Sequence, residues 1–284
     1  LEKALRGKAE FTNNTRSSRG YKYFSLNRYL GFTALIICCI PVCIGFFIPI
    51  TTIILWSIKS INNIDLYNFI QLFISSFSLA LLAAFICILF AILIIYGVRT
   101  NSKIAAPFAR IASLGYSIPG AVAAVAVLIP LAWIDNIISN FALQYFNISI
   151  GLLLTGSWFA LLFAYLVRFL ALSMHSVENS FIKIPISFDY AAKVLGKSNS
   201  SILSNIHARI GLGGISLGLL IVFVDVLKEL PATMILRPFG LSTLAIKAHE
   251  FAIDERLGDA AIPLLAIVVV CLLPLFILAR GIRH

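Results

Sequence analysis

The sequence predicts an all-α membrane protein, a polytopic bundle of about six transmembrane helices. Two observations support this class: 60% of the 284 residues are hydrophobic and only 12% are charged, and the mean hydropathy is +0.99. A soluble domain has about 25% charged residues and could not hide this much apolar surface from water. Composition therefore argues against a soluble enzyme and a disordered chain. The five cysteines lie in apolar stretches without a Cys-x-x-Cys pair, so we expect free thiols.

The spans are marked by stretches that contain no Asp, Glu, Lys or Arg. A bilayer core of about 30 Å needs about 20 helical residues. Lipid offers the backbone no hydrogen-bond partner, so each span should be helical. The six predicted helices lie near 30–57, 69–98, 113–134, 148–172, 211–228 and 260–280. Pro41 and Pro49 predict a kink or a break in the first helix, and the fifth is the shortest.

The loop charges predict the orientation. With six spans, the side that holds both termini has 17 Lys and Arg residues and the other side has five. Basic loops stay in the cytoplasm, so both termini, including the basic segment 1–29, are predicted to be cytoplasmic. The segment 173–210 is then cytoplasmic and the segment 229–259 external. The net charge of +10 follows from these loops, and we do not expect nucleic-acid binding.

The long cytoplasmic segment contains a predicted short helix. Ser187 can cap this helix, and Asp189 lies in its positive first turn. Ala191 and Ala192 favour helix and present a small, flat face. Gly196 then allows a break with positive φ.

A second short helix is predicted directly after this break. Ser198 or Asn199 can cap it, and it runs through Ile206. The pattern therefore indicates two short cytoplasmic helices joined at an angle, suited to lie in the groove of a partner. The alternative is an ordinary connecting loop.

Charged residues at the end of the fifth span are the candidates for a transport pathway. Asp225, Lys228 and Glu229 are costly in hydrocarbon and should face the bundle interior or water. Asp225 and Lys228 are three residues apart and can pair on one helix face. The cluster either lines or gates the external part of a pathway, or is a structural ion pair that locks the helix. Arg168 is expected to snorkel to the cytoplasmic surface, and the residues from Arg237 to Gly240 are expected to form an external turn.

Catalytic and metal-binding motifs are not expected in this chain. Gly196-Lys197-Ser198 imitates the end of a phosphate-binding loop, but Ala191 stands where the first glycine is needed. The four histidines are scattered and have no metal-ligand spacing. A membrane enzyme would need polar residues that converge from several spans, and the spans are too apolar to supply them.

The cytoplasmic segment resembles a known signature. Ala191, Ala192, Gly196 and Ile206 stand where permease subunits of binding-protein-dependent ABC importers have Glu-Ala-Ala, Gly, then Ile-x-Leu-Pro. Tyr190 replaces the Glu of that motif, and the residues 208–209, Ala-Arg, replace its Leu-Pro.

Two further stretches are similar to the iron(III) branch of these permeases. One runs from Asp225 to Gly240. It includes the motif Lys-Glu-Leu-Pro-Ala-Thr, which contains Pro231, and the motif Arg-Pro-Phe-Gly, which begins with Arg237. The other is Gly-Tyr-Ser-Ile-Pro-Gly at 115–120. In that branch two homologous halves are usually fused. The opening at Leu1 resembles a linker after a first half, so we expect the C-terminal half of such a permease.

The resemblance implies an ABC importer permease (MetI-like) architecture, with the segment 1–29 as a cytoplasmic segment or linker and 30–284 as the permease domain. Its coupling loop, 178–210, would dock on a cytoplasmic ATP-binding cassette ATPase dimer, which binds the ATP and Mg, so no cofactor is expected in this chain. The further implied partners are an external substrate-binding protein, a second permease half or homologous subunit, and the lipid bilayer.

The implied function is import of ferric iron across the cell inner (cytoplasmic) membrane. The candidate pathway or gate residues are Asp225, Lys228, Glu229, Pro231 and Arg237. Related branches carry thiamine or sulfate, which leaves the cargo open. The other alternative is an ion-coupled secondary carrier that uses Asp225, Lys228 and Glu229 as its relay. Inverted repeats and midplane helix breaks would mark such a carrier, and the sequence shows neither.

Overall fold

The computed structural model describes residues 26–281, except for several side chains, and this part of the chain is helical without strands. Residues 1–25 of the predicted segment 1–29 lie outside the described residues. The helices are α1 (Arg28–Val42), α2 (Ile48–Ser60), α3 (Leu66–Arg99), α4 (Ala105–Ala112), α5 (Gly120–Phe146), α6 (Trp158–Phe181), α7 (Ile186–Val194), α8 (Asn199–Ile202), α9 (Ala208–Ile210), α10 (Leu212–Leu227), α11 (Pro231–Leu236), α12 (Leu244–Ile253) and α13 (Leu257–Gly281).

The predicted break in the first span is a π-helical segment, Cys43–Phe47, between α1 and α2. Pro41 lies within α1 and lacks the N–H that a regular helix would use, so a local change of helix type follows it. The chain divides into two compact units, with the boundary between Pro49 and Ile50. No residue of α1 is buried.

Four apolar stretches of the described chain are long enough to cross a membrane: Arg28–Ser60, Leu66–Arg99, Gly120–Phe146 and Trp158–Phe181. A fifth is present if α10 is counted together with Asn199–Ile210, from which it is bent by 76°. The sixth predicted span corresponds to α13, which is apolar and contains Pro263 and Pro274. The prediction of an all-helical, multi-span membrane protein is confirmed.

The predicted bounds of the third and fourth spans are wrong. We expected helices over 113–134 and 148–172, with Asp135 in the loop between them, whereas α5 continues to Phe146 and contains a buried Asp135. Its carboxylate accepts the backbone N–H groups of Leu153 (3.2 Å), Leu154 (2.9 Å) and Thr155 (2.8 Å). These bonds offset the cost of burying the charge. Asp135 therefore fixes the loop that leads into α6.

The core of the bundle lies where α3, α6 and α10 pack against one another. Small residues allow this close packing: Ala80, Ala84 and Ala160 are fully buried. Gly218 of α10 is another, because a Cβ atom there would lie 2.8 Å from the side chain of Ile88. Small residues are the usual means of close helix packing in membranes, where hydrophobic attraction between helices is weak.

The segment 229–259, which the charge pattern predicts to be external, is not an extended loop. It folds back into the bundle as α11 and α12, and Thr233, Leu244 and Ile246 are fully buried. The N–H of Leu244 donates a hydrogen bond to Oγ of Ser76 in α3 at 2.7 Å. The loop-charge count predicts only the side of the membrane and not whether a segment packs into the bundle.

Candidate functional site

The helix–Gly–helix pattern of the segment predicted to be cytoplasmic is present in the structure as α7 followed by α8. Pro185, not Ser187, is the residue that precedes α7, so the predicted cap is wrong by two positions. Asp189 lies in the first turn of α7, as predicted. Ser198 is the N-cap of α8, and its Oγ accepts the N–H of Ser201 at 3.4 Å.

Gly196 ends α7 with φ of +73°, the break that the sequence predicts. The N–H of Lys197 donates to the carbonyl of Ala192 at 3.0 Å, and the N–H of Gly196 donates to that of Lys193 at 2.9 Å. This pair of bonds is a Schellman motif, which satisfies the last carbonyls of a helix and favours glycine at its left-handed position. The angle between α7 and α8 therefore depends on Gly196.

Asp189 joins α7 to the end of α3. Its Oδ2 accepts a hydrogen bond from Nε of Arg99 at 2.8 Å. The two Nη atoms of Arg99 donate to the carbonyls of Phe181 (2.6 Å) and Ile184 (2.7 Å), at and just beyond the end of α6. One guanidinium group thus connects α3, the end of α6 and α7.

His207 occupies the other oxygen of the same carboxylate. Its Nε2 lies 2.6 Å from Oδ1 of Asp189, and the side chain is completely buried. The imidazole packs against the rings of Tyr96, at 5.4 Å between centroids, and Phe181, at 5.0 Å. The hydroxyl of Tyr96 donates to the carbonyl of Asn199 at 2.9 Å, which ties α3 to the start of α8. We name Arg99, Asp189 and His207 together the cytoplasmic clamp, after the side of the membrane that the loop charges predict for this segment.

The clamp keeps Asp189 ionised. Burial raises the pKa of its carboxyl, but the hydrogen bonds from Arg99 and His207 outweigh burial and hold the pKa below its usual value. A charge-assisted hydrogen bond to each oxygen is stronger than a bond between neutral groups.

An exposed apolar stripe runs along α7 beside the position of Asp189. Ile186, Tyr190 and Val194 follow one another at four-residue spacing, and they are 58%, 64% and 88% exposed. Of the other predicted residues of this loop, Ala191 is exposed, Ala192 is buried and Ile206 is half-buried. Side chains four apart lie on one side of a helix, so the bundle holds α7 by Asp189 and leaves an apolar stripe uncovered.

The predicted pathway residues do not form one cluster. Nζ of Lys228 lies 2.7 Å from Oδ1 of Asp225, and the Lys228 side chain is 59% exposed. Glu229 points elsewhere and forms an ion pair with Arg168 of α6. Pro231 is the first residue of α11, where a missing N–H costs nothing.

Arg168 does not snorkel to the cytoplasmic surface. It lies about 15 Å from the start of α6 and about 20 Å from its end, at 1.5 Å per residue. Its side chain is 20% exposed and that of Glu229 is 7% exposed. The ion pair therefore lies midway along a membrane-spanning helix, where lone charges are costly.

Two glycines bring the segment 115–120 against this ion pair. A Cβ atom at Gly120 would collide with the Arg168 guanidinium and the Glu229 carboxylate, and one at Gly115 would collide with the carbonyl of Val167. The Gly-Tyr-Ser-Ile-Pro-Gly motif is thus explained by close packing of backbone onto α6.

Arg237 lies in a different place again. It borders an open pocket of about 920 Å³ that Lys247 and Glu250 also line. Its Nη2 is 3.5 Å from Oε1 of Glu250, and Nζ of Lys247 is 3.2 Å from Oε2. Within residues 26–281, no group of three or more His, Cys, Asp or Glu side chains could hold a metal ion.

Sequence reasoning missed Arg99, His207 and Arg168. Their partners are separated from them by 90, 18 and 61 residues, so no local spacing shows the pairs. A signal existed for Arg168 alone, because an arginine within an apolar helix needs a buried counter-charge and Glu229 was at hand.

Comparisons with known proteins agree with this architecture, although no family model matches the chain. The Fe(3+)-transport system permease protein FbpB 2 of Haemophilus influenzae is 24% identical over 237 residues, which cover 82% of this chain and 44% of that protein. The chain thus spans less than half the length of the curated relative that it matches.

Two solved structures have a similar fold, each at 16% sequence identity. One is a bacterial ABC transporter involved in the import of the acidic polysaccharide alginate, with a TM-score of 0.63 over 90% of this chain and 95% of that chain. The other is the MetNI methionine ABC transporter in an inward-facing conformation, with a TM-score of 0.52 over 75% and 94%. The fold is that of ABC importer permeases, and the predicted MetI-like architecture is confirmed.

Proposed function

We propose that this chain is the transmembrane subunit, or half-subunit, of an ATP-driven importer in the cell inner membrane. The observation that carries the proposal is α7, which stands at one end of the bundle with an uncovered apolar stripe. The same helix is held through Asp189 by Arg99, at the end of α3, and by His207. An apolar stripe with a rigid attachment fits docking on a partner better than contact with water. We assign that partner as an ATP-binding cassette ATPase dimer, which hydrolyses the ATP.

Ferric iron is the cargo that we propose. Its support is the similarity to the Fe(3+)-transport permease and the sequence block around Glu229 and Arg237. The solved structures of the same fold belong to importers of alginate and methionine, so the fold does not choose the cargo.

The geometry suggests different roles for the predicted pathway residues. We propose that Arg237 borders the external part of the pathway, because it lines the open pocket. Glu229 is buried and paired with Arg168, which favours a structural role. Asp225 and Lys228 combine features of both roles: they form an ion pair, as structural residues do, but Lys228 is largely exposed, as a pathway residue would be.

Photo-crosslinking tests the docking. Benzoylphenylalanine is placed at Tyr190, and at Tyr145 as a matched control, because the two tyrosines are 64% and 65% exposed. The complex is assembled with the candidate ATPase and the external binding protein. We expect a crosslink to the ATPase from position 190 and none from position 145. The absence of any ATPase crosslink from position 190 contradicts the proposed function.

Uptake into proteoliposomes tests the cargo and the energy source. We expect ATP, supplied on the side of the membrane that carries the ATPase, to drive accumulation of radioactive iron(III). Thiamine and sulfate should not be accumulated. ATP-driven uptake of thiamine or sulfate instead of iron would keep the permease role and change the cargo. Uptake that runs on a proton gradient without ATP would identify an ion-coupled carrier.

A further inference from the structure

The cytoplasmic clamp connects elements that are far apart in sequence. Arg99 is the last residue of α3, and its three nitrogen groups contact the carboxylate of α7 and two carbonyls at the end of α6. His207 belongs to the π-helical segment Leu203–His207 that precedes α9 and α10. The carboxylate of Asp189 is therefore bonded to two parts of the bundle, through Arg99 and His207, and Arg99 adds a third, the end of α6.

The geometry of the clamp makes it stiff. A guanidinium group is planar and presents its N–H groups in a fixed fork, so three acceptors around Arg99 define its position in all directions. The side chains of Arg99 and Asp189 are 12% and 14% exposed, which limits competition by water. His207 is enclosed by Tyr96 and Phe181 and cannot turn away from the carboxylate without displacing them.

We propose that Arg99 and His207 are positioning residues that join α7 rigidly to α3, α6 and α10. When a partner pushes on the apolar stripe of α7, the force reaches these helices through Asp189. An attachment by apolar contacts alone would let α7 slide, because such contacts have no preferred direction. The proposal rests on the proposed function only for the identity of the partner that pushes.

Hydrogen exchange tests the joint without any partner. The full chain is placed in lipid nanodiscs, and exchange is compared for the wild type, Arg99→Lys, His207→Gln and His207→Phe. Lysine keeps the charge of Arg99 but cannot reach three acceptors at once. Glutamine can keep a donor near the Nε2 position of His207, whereas phenylalanine keeps only the shape.

We expect Arg99→Lys and His207→Phe to speed exchange in Ile186–Val194 at least tenfold and to leave the middle of α10 unchanged. His207→Gln should restore part of the protection. Arg110→Lys is the control, because Arg110 is exposed on α4. Unchanged exchange in Ile186–Val194 in Arg99→Lys and His207→Phe would overturn the inference, as would equal acceleration along the whole chain.

Transport tests the consequence in the assembled complex. We expect Arg99→Lys and His207→Phe to keep ATP hydrolysis but to lower the amount of substrate imported per ATP at least tenfold. Parallel loss of hydrolysis and import would mean a purely structural role and would also overturn the inference. Faster exchange in α7 of the variants, together with no crosslink from position 190, would support the inference about Arg99 and His207 and reject the proposed function. The two failures are therefore distinguishable.

Discussion

Removal of the Glu229 carboxylate is the sharpest test of the buried ion pair. In Glu229→Gln the guanidinium of Arg168 stays midway along α6 and loses its counter-charge. Nη1 of Arg168 forms the ion pair with Oε1 of Glu229, and Nε is buried without a hydrogen-bond partner among the described residues, so Glu229 is the neutralising contact of the guanidinium. Breaking a buried pair by removing one partner costs about 3–5 kcal/mol. We expect a loss near 3 kcal/mol, because one fifth of the Arg168 side chain remains exposed.

The assay is the melting temperature of the purified chain in lipid nanodiscs. With about 2–4 °C per kcal/mol for chains of this size, Glu229→Gln should melt about 6–12 °C below the wild type. The double variant Arg168→Met, Glu229→Leu removes both charges and keeps the volume, so it should melt close to the wild type. Glu250→Gln is the matched control, because that carboxylate is 38% exposed and its pairs should be worth at most about 1 kcal/mol. A wild-type melting temperature for Glu229→Gln, or a double variant as unstable as the single one, would refute the reasoning.

Three further predictions concern the glycines and the clamp. Gly196→Val places a β-branched residue at φ of +73°, which costs about 1–2 kcal/mol. This variant should abolish ATP-driven uptake while the chain still inserts. The control is Gly213→Ala, which should transport normally because no atom lies within 4 Å of the new Cβ. Gly120→Ala should lower the melting temperature by the equivalent of about 1–3 kcal/mol, because the new methyl group collides with the Arg168–Glu229 pair. The pKa of Asp189 is lowered in the folded chain. The stabilisation from its carboxylate is therefore complete above the unfolded pKa of about 3.9 and is lost as the pH falls through the folded pKa. The difference in melting temperature between the wild type and Asp189→Asn should therefore shrink in acid.

The features that the sequence predicts correctly are local ones. The span at 69–98 agrees with α3 because an uninterrupted apolar stretch dictates a helix in lipid. The turn at Gly196 and the cap at Ser198 follow from the conformations that glycine and serine favour. Each of these predictions depends on residues that lie within a few positions of one another.

The features that the sequence does not predict depend on contacts across the chain. Asp135 served as a boundary between two predicted spans, since a charge usually marks the end of an apolar helix. In the structure three backbone N–H groups of the following loop satisfy its carboxylate, so the helix continues through it. The same limit applies to Arg99 and His207, whose shared partner Asp189 is known only once the helices are packed.

We propose two distinct physical tasks for the charged residues of the bundle. The Arg168–Glu229 pair lies at the junction of α5, α6 and α11, where Gly120 leaves no space for a side chain between the helices. The cytoplasmic clamp lies at the ends of the spans and reaches outward to α7. A pair enclosed midway in the bundle resists movement, whereas a clamp at the ends passes movement inward. If α7 is displaced by a partner, α3, α6 and α10 should therefore move as stiff rods that turn about the level of Arg168, and distances measured between the helix ends should change more than distances near that residue.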